Sequence, residues 1–186
     1  MNGKDKIVGF DISVANEIAK RLGVKLVVQE MSFDALLGAV KTGKVDMVVA
    51  GMTATPEREQ EVAFSEPYFV DKNVVMTLKK NANKLANLND LKKATLAAQI
   101  SSIQEDAAKQ VDAKKVVSLK KVNDAVTQLT QGKVDGVVVP DTTADSYMDQ
   151  SNQFAVAKAT LPGETNGSSV VMAKNATVLQ SKVDNI

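Results

Sequence analysis

The sequence contains neither cysteine nor histidine. Without cysteine, the chain has no disulfide, no thiol nucleophile and no thiolate ligand for a metal. Without histidine, it lacks the commonest general base and the commonest metal-ligating side chain. These two absences point away from an enzyme. We therefore expect a protein with no catalytic residues, no metal and no other cofactor.

Long apolar runs and an excess of charge of one sign are absent as well. No stretch approaches the roughly 18 apolar residues that span a bilayer as a helix. The 23 basic residues nearly balance the 22 acidic ones, so the net charge is +1. This balance gives no electrostatic reason to expect a nucleic acid or an acidic membrane as a partner. The length of 186 residues and the hydrophobic content of 44% suit one large globular domain or two small ones.

Helical and strand patterns alternate in the first part of the chain. A first helix is predicted between Asp11 as its N-cap and Gly23 as its stop, with apolar residues at helical spacing: Val14, Ala15, Ile18, Ala19 and Leu22. The pattern then predicts a strand over 24–29, a second helix, and a strand over 45–51 that is apolar on both faces. Such a strand is typical of a buried parallel sheet. The alternation with short connections indicates an α/β fold.

One helix–turn–strand pattern occurs twice in the chain. Residues 43–54 read GKVDMVVAGMTA and residues 132–144 read GKVDGVVVPDTTA, 89 residues later. Each stretch follows an amphipathic helix, continues as a Val-rich strand and ends in a Thr-containing loop. The pattern has two interpretations. It is common in α/β proteins of any kind, or it marks two similar lobes that each have a parallel sheet.

The middle of the chain favours two lobes. Residues 73–83 and 161–175 are predicted to be extended crossings that form a two-strand hinge. The first lobe is then discontinuous, with residues 1–71 and 168–186, and the second lobe contains residues 72–167. Ligands of parallel sheets bind beyond the carboxyl ends of the strands. Both Thr loops lie there, so we expect a ligand cleft between two lobes that open and close as a clamshell.

The first Thr loop carries candidate ligand-binding groups. It offers the backbone near Gly51, the Thr53 hydroxyl, and Thr55 and Pro56 as the N-cap and first residue of a helix. Arg58 then lies in the first turn, where the helix dipole favours acids over bases. Its planar guanidinium matches a carboxylate, which would explain the unusual position. The alternative is a surface arginine paired with a neighbouring glutamate.

Three further segments carry candidate residues. Asp141 follows the second Val-rich strand and is either an ordinary N-cap or the partner of an ammonium group. Ser102 and Glu105 have capping-box spacing, and the Ser101 and Ser102 hydroxyls at a helix start also suit an anion. Phe33 either packs in the core or lines a pocket. An arginine on one lobe and an aspartate on the other make a receptor for a zwitterion.

Three stretches together carry a family resemblance. GFDISVANEIAKRLG, LLGAVKTGKVDMVVAGMTATPEREQEVAFSEPYF and GKVDGVVVPDTTA resemble the solute-binding proteins of polar amino-acid ABC transporters. This is the periplasmic binding protein type II family, which includes glutamine- and histidine/arginine-binding proteins. The resemblance covers nearly the whole chain, and the block AGMTATPER…FSEPYF is its most specific part.

The resemblance implies roles for the first set of residues. Arg58 would clamp the α-carboxylate of the ligand. Thr53 and the backbone at Gly51 would contribute to binding the α-carboxylate and α-amino groups. On this view Arg58 lies in the first turn because an anion completes that helix end.

The resemblance also implies roles for the second set. Asp141 would bind the α-ammonium group, and Ser101 and Ser102 would add carboxylate contacts from the other lobe. An aromatic ring at Phe33 would cover the ligand side chain. One position departs from the family pattern: Ile100 stands where the family often has glycine, which puts the backbone around Ser101 in doubt. The family also has a strand before GFD and a helical segment after the last residues here, so we expect a chain that lacks its N-terminal strand.

The function implied is extracytoplasmic binding of a polar amino acid and delivery to an ABC permease. The protein would be a monomer, in the periplasm or held at the cell surface as a lipoprotein. Two alternatives remain. The same module serves as the amino-acid-sensing domain of membrane receptors and kinases. A few relatives are cyclic-acid dehydratases, which need a carboxylate with a raised pKa for acid/base chemistry.

Overall fold

The computed structural model describes residues 7–162 and 167–186, which fall into two compact units. Unit 1 contains the described residues of 7–31, 35–70 and 167–186. Unit 2 contains those of 32–34 and 71–162. Residues 1–6 of the predicted first lobe and residues 163–166 of the predicted second crossing lie outside the described residues.

Helices and strands alternate along most of the chain, as the α/β prediction requires. The helices are α1 (Phe10–Leu22), α2 (Leu36–Lys41), α3 (Pro56–Glu61), α4 (Leu88–Lys93), α5 (Ile103–Gln110), α6 (Val122–Thr130), α7 (Asp141–Gln150) and α8 (Thr177–Asp184), with 3-10 turns at Phe33–Ala35 and Lys79–Lys84. The strands are β1 (Met47–Thr53), β2 (Val62–Phe64), β3 (Asn73–Leu78), β4 (Thr95–Gln99), β5 (Lys115–Leu119), β6 (Gly136–Pro140), β7 (Phe154–Val156) and β8 (Ser168–Ala173).

The described sheet of unit 1 has the order β1-β8-β2 and is antiparallel throughout. The prediction of a parallel β1 is therefore wrong for the described residues, because its neighbour comes from the far end of the chain. Val48 pairs with Val171 but Met52 pairs with Ser169, so the strand bulges between these pairs. Gly51 lies in the bulge with φ +59, a left-handed conformation that glycine adopts without strain.

The predicted strand over 24–29 is not formed. None of its residues is assigned to a strand, and Val24 and Val27 are 60% and 69% exposed. An apolar run becomes a strand only when a neighbouring strand satisfies its backbone groups. The sheet of unit 1 contains no such neighbour for this segment among the described residues.

Helix α1 begins two residues earlier than the predicted cap implies. Its N-cap is Gly9, and Asp11 lies within the first turn. Gly23 ends the helix in the left-handed conformation, as predicted. The buried side chains of α1 include Ile18, which packs with Val170 and Met172 of β8. The prediction of α1 is confirmed, but the assignment of Asp11 as its N-cap is wrong.

The sheet of unit 2 is mixed, with the order β5-β4-β6-β3-β7. Strands β5, β4 and β6 are parallel, and β3 runs antiparallel to both β6 and β7. Two apolar clusters pack on the sheet, one containing Val75, Leu96 and Val138 and the other containing Met76 and Val137. Because β4 and β6 are parallel neighbours, their carboxyl ends meet at one edge, where the candidate residues of this unit lie.

Candidate functional site

The start of α3 holds Arg58 in a defined position. Thr55 is the N-cap, and its hydroxyl accepts a hydrogen bond from the Arg58 amide at 3.3 Å. Pro56 is the first helical residue, where its missing N–H is not needed. The Arg58 guanidinium turns back and donates through Nη1 to the Thr53 carbonyl at 2.7 Å. The cap therefore formed as predicted, and it places a half-buried cation against the end of β1.

The three candidates of unit 1 converge on that end of β1. Thr53 is the last residue of the strand, is 7% exposed and pairs with Ser168. Gly51 lies two residues earlier, in the bulge. Glu61, one of the glutamates considered as a surface partner of Arg58, forms an ion pair with Lys41 at 2.9 Å.

Tyr68 is a residue at this place that the sequence did not identify. The Gly51 amide donates to Tyr68 Oη at 3.2 Å, and the Tyr68 hydroxyl donates to Asp11 Oδ1 at 2.9 Å. The tyrosine follows the proline of the FSEPYF block, which is the only sequence signal that pointed near it. The Gly51 N–H is thus bonded within the protein.

In unit 2, Asp141 lies at the carboxyl end of β6. It is the first residue of α7, while Pro140 takes the N-cap position, so the N-cap interpretation of Asp141 is wrong. Its carboxylate accepts hydrogen bonds from the Thr142 amide at 2.8 Å and the Lys72 amide at 3.4 Å. Its own amide donates to the Lys72 carbonyl at 2.8 Å. These bonds fix the carboxylate at the edge of the sheet.

A second carboxyl group, Asp71, precedes Lys72 and was missed by the sequence analysis. Burial raises the pKa of the Asp71 carboxyl above its ordinary value, and the charge of Asp141 raises it further. A negative charge nearby disfavours the ionised form of a carboxyl group. A positively charged group bound here would relieve that repulsion.

The Ser101–Ser102 pair lies at the carboxyl end of β4 and is shaped by helix capping. Ser102 is the N-cap of α5, and its hydroxyl accepts from the Glu105 amide at 3.2 Å and donates to the Gln99 carbonyl at 2.7 Å. Ser102 is 2% exposed, whereas Ser101 is exposed. Ser101 has φ +62, a conformation that favours glycine. The position where glycine would be preferred is therefore 101 and not Ile100.

The buried Glu105 side chain binds the loop that precedes α5. Its Oε2 accepts from the Ser101 amide at 2.8 Å, where a standard capping box would bond the amide of the N-cap itself. Its Oε1 accepts from the Ser118 hydroxyl and forms an ion pair with Lys109 at 3.0 Å. Burial acts to raise the pKa of Glu105. The hydrogen bonds from Ser118 and Lys109 outweigh burial, so the pKa lies below its ordinary value.

Phe33 begins the 3-10 turn that precedes α2 and is half-buried. Its proposed contact with a ligand stays a prediction. Within residues 7–162 and 167–186, no group of three or more acidic side chains has the arrangement of a metal site.

A comparison with protein families decides the relationship of the chain. The family model described as "Bacterial extracellular solute-binding proteins, family 3" matches residues 1–186. The chain belongs to this family. The resemblance inferred from the three sequence stretches is therefore confirmed.

Curated relatives in family 3 include proteins named for amino acids. The chain is 38% identical over 149 residues to a probable histidine-binding protein of Campylobacter jejuni, covering 80% of this chain and 58% of the relative. It is 32% identical over 178 residues to the arginine-binding extracellular protein ArtP of Bacillus subtilis, covering 92% and 68%. The chain thus spans between about half and two thirds of the length of these relatives.

Solved structures from the family share the fold. The substrate-binding protein AbpA of an amino acid ABC transporter from Streptococcus pneumoniae, bound to L-arginine, matches with a TM-score of 0.94 and 34% identity, over 100% of this chain and 78% of that one. The holo form of ArgBP from T. maritima matches with a TM-score of 0.91 and 32% identity, over 100% and 81%. The α/β prediction is confirmed by this likeness.

Among the helices in the described part of the chain, none has the length and apolar character that crossing a membrane requires.

Proposed function

We propose that this chain binds a polar amino acid outside the cytoplasm and supplies it to an ABC permease. The observation that carries the proposal is the placement of Arg58. A cation at the third residue of a helix opposes the helix dipole, yet here its guanidinium is bonded to the end of β1. Family membership and the names of the relatives support an amino acid as the ligand.

The first half of the proposed site lies in unit 1. The bond to the Thr53 carbonyl holds the Arg58 guanidinium at the end of β1, and the planar fork of a guanidinium suits the two oxygens of an α-carboxylate. Thr53 adds contacts to the same carboxylate. Since the Gly51 N–H is bonded to Tyr68, we assign the Gly51 carbonyl to the α-ammonium group.

The second half lies in unit 2. Asp141 binds the α-ammonium group, and the negative potential that it shares with Asp71 favours a cation there. Ser101 and Ser102 add contacts to the α-carboxylate, and Phe33 covers the side chain. We propose that units 1 and 2 correspond to the predicted lobes of residues 1–71 with 168–186 and of residues 72–167, apart from residues 32–34, 71 and 167, which fall in the other unit. The amino acid would bind between them and shift the hinge towards a closed form.

Arginine and histidine are the first ligands to test, because the relatives are named for them. Thermal unfolding with each of the twenty amino acids at about 1 mM identifies the ligand. A ligand present at about 1,000 times its Kd adds about 4 kcal/mol of stability. For a chain of this length that corresponds to a Tm rise of roughly 8–16 °C. No shift with any amino acid would contradict the proposal.

Arg58→Ala tests the site itself. We expect binding to weaken by about 2–5 kcal/mol, the cost of removing one partner of a buried charge pair. The matched control is Arg21→Ala, the other arginine of the chain, whose exposed side chain pairs with Glu17 at 2.7 Å. Isothermal calorimetry with the identified amino acid measures both variants. An affinity of Arg58→Ala within threefold of the parent would remove Arg58 from the site.

Delivery to a permease is tested separately. The liganded protein should stimulate ATP hydrolysis by the cognate transporter in proteoliposomes. If the protein binds its ligand but no transporter responds, the sensor role becomes the better proposal. We propose no catalytic step for the chain, which is expected to act as a monomer, either free in the periplasm or anchored by lipid.

A further inference from the structure

We propose that Tyr68, oriented by Asp11, is a positioning residue that fixes the Gly51 end of the amino-acid site. This inference rests on the proposed function. It adds two residues that make no assigned contact with the ligand but hold a backbone group that does.

Three groups form one chain of hydrogen bonds. The Gly51 amide donates to Tyr68 Oη at 3.2 Å, and the Tyr68 hydroxyl donates to Asp11 Oδ1 at 2.9 Å. The hydroxyl has a single hydrogen atom, which points to Asp11 in their hydrogen bond. The lone pairs of the same oxygen are then left for the Gly51 amide. Asp11 thus orients the Tyr68 hydroxyl so that it accepts the hydrogen bond from the Gly51 amide in the bulge.

The position of the Tyr68 ring does not depend on its hydroxyl. Its centroid lies 6.1 Å from that of Phe10. Its amide donates to the Ser168 carbonyl at 2.9 Å, and the Ser168 amide donates to the Phe69 carbonyl at 2.6 Å. Removing the hydroxyl alone should therefore leave the ring in place.

The bulge needs such a restraint. Gly51 has φ +59, and glycine has access to more backbone conformations than any other residue. Because the peptide is planar and trans, a bond to the Gly51 N–H holds the whole Ala50–Gly51 peptide. The Gly51 carbonyl, which is assigned to the ligand, is attached to that peptide only through the φ and ψ rotations of Gly51. Without the Tyr68 hydroxyl, this peptide can rotate before the ligand arrives. Binding would then include the cost of ordering it.

Tyr68→Phe removes the single oxygen atom that carries the argument. We expect the Kd for the identified amino acid to rise about 3- to 10-fold, the range for one net hydrogen bond. Tyr147→Phe is the matched control and should leave the Kd unchanged. Tyr147 is the only other tyrosine; its hydroxyl bonds Asn123 and its ring packs on Phe154 in unit 2.

The control variant also supplies an optical signal. The chain has no tryptophan, so Tyr147→Phe leaves Tyr68 as its sole tyrosine. Tyrosine absorbance and emission respond to hydrogen bonding of the hydroxyl. We expect the Tyr68 signal to change as the amino acid is added, with the same Kd that calorimetry gives. A purely structural tyrosine, distant from the ligand, would show no change.

Asp11→Asn gives an independent measurement if Tyr68→Phe fails to fold. We expect a smaller rise in Kd than for Tyr68→Phe, since asparagine retains one oxygen acceptor. In a Tyr68→Phe background, Asp11→Asn should have no further effect on the Kd, because Asp11 acts through the hydroxyl.

The possible results separate this inference from the proposed function. If the parent chain binds no amino acid, both this inference and the proposed function are wrong. If the parent binds and Tyr68→Phe binds equally well while its Tm drops, Tyr68 only stabilises unit 1 and the inference is overturned. A raised Kd with an unchanged Tyr147→Phe control supports it.

Discussion

Helices α3 and α5 begin in the same way and differ in the charge of their third residue. Thr55 caps α3 and accepts from the Arg58 amide at 3.3 Å, while Ser102 caps α5 and accepts from the Glu105 amide at 3.2 Å. An acid at this position agrees with the helix dipole, and a base opposes it. The two helices therefore share one type of N-cap but carry opposite charges at the third residue.

The charged groups of Glu105 and Arg58 have different hydrogen-bond partners. Glu105 is 6% exposed, and its two oxygens are bonded to Ser101, Ser118 and Lys109. Its charge stabilises the loop at the end of β4. Arg58 is bonded to the end of its own preceding strand. On the proposed function, the acid at the third position serves the fold and the base serves the ligand.

The largest effect on stability should come from Glu105→Ala. Hydrogen bonds to a charged group contribute about 1.5–3 kcal/mol, and this change removes the acceptor of two hydrogen bonds and one ion pair. We expect the free energy of unfolding to fall by about 2 kcal/mol in urea titrations. Asp106→Ala, at the exposed neighbour, should change it by less than about 0.5 kcal/mol. Equal effects of the two substitutions would show that the bonds of Glu105 do not stabilise the fold.

The same prediction has a pH dependence. The pKa of Glu105 is lowered in the folded protein from an ordinary value of 4.5, so its contribution to stability is complete above that value. It is lost as the pH falls through the lowered, folded-state pKa. The stability difference between the parent and Glu105→Gln should thus be constant near neutral pH and shrink in acid. A difference that grows in acid would contradict the sign of the shift.

Arg58→Glu should convert the start of α3 into the arrangement of α5. The glutamate gains the capping-box position behind Thr55 and agrees with the dipole, but the bond to Thr53 is lost. We expect the free energy of unfolding without ligand to stay within about 1 kcal/mol of the parent. Amino-acid binding should disappear. A large loss of stability would show that Arg58 serves the fold as Glu105 does.

The smallest effect concerns the left-handed residues before the two helices. Gly51 and Ser101 have φ +59 and +62, so of these two positions only 51 has the residue that this conformation favours. Ser101→Gly should raise the free energy of unfolding by about 0.5 kcal/mol, as relief of strain exceeds the added entropy of the unfolded chain. Ser181→Gly, within α8, should lower it by a similar amount. A loss in both variants would mean that Ser101 is not strained.

Features that depend on neighbours in sequence were predictable. Thr55 and Ser102 cap their helices as expected, because the bond partner of a cap lies three residues away. The stop at Gly23 and the strands of the two Val-rich repeats follow from equally local signals. The candidate residues Gly51, Thr53 and Arg58 came from the Thr loop itself, and the family resemblance added their individual roles.

Features that depend on distant partners were missed or wrong. Strand β1 is antiparallel because it pairs with β8, and the sequence of β1 alone does not predict the direction of its neighbour. Asp11 looked like a cap because its partner, Tyr68, is 57 residues away. The position of the Glu105 carboxylate likewise depends on a distant partner, the Ser118 hydroxyl on the neighbouring strand β5.

The position of β8 between β1 and β2 has a consequence for synthesis on the ribosome. A nascent chain released as far as residue 162 already contains every described strand of the unit 2 sheet. At that moment the described sheet of unit 1 has only its two outer strands, because Met47 pairs with Met172. Unit 2 is therefore able to fold first, while the apolar strands β1 and β2 of unit 1 remain unpaired until β8 has been synthesised. That interval is when chaperones and proteases meet an unfinished protein.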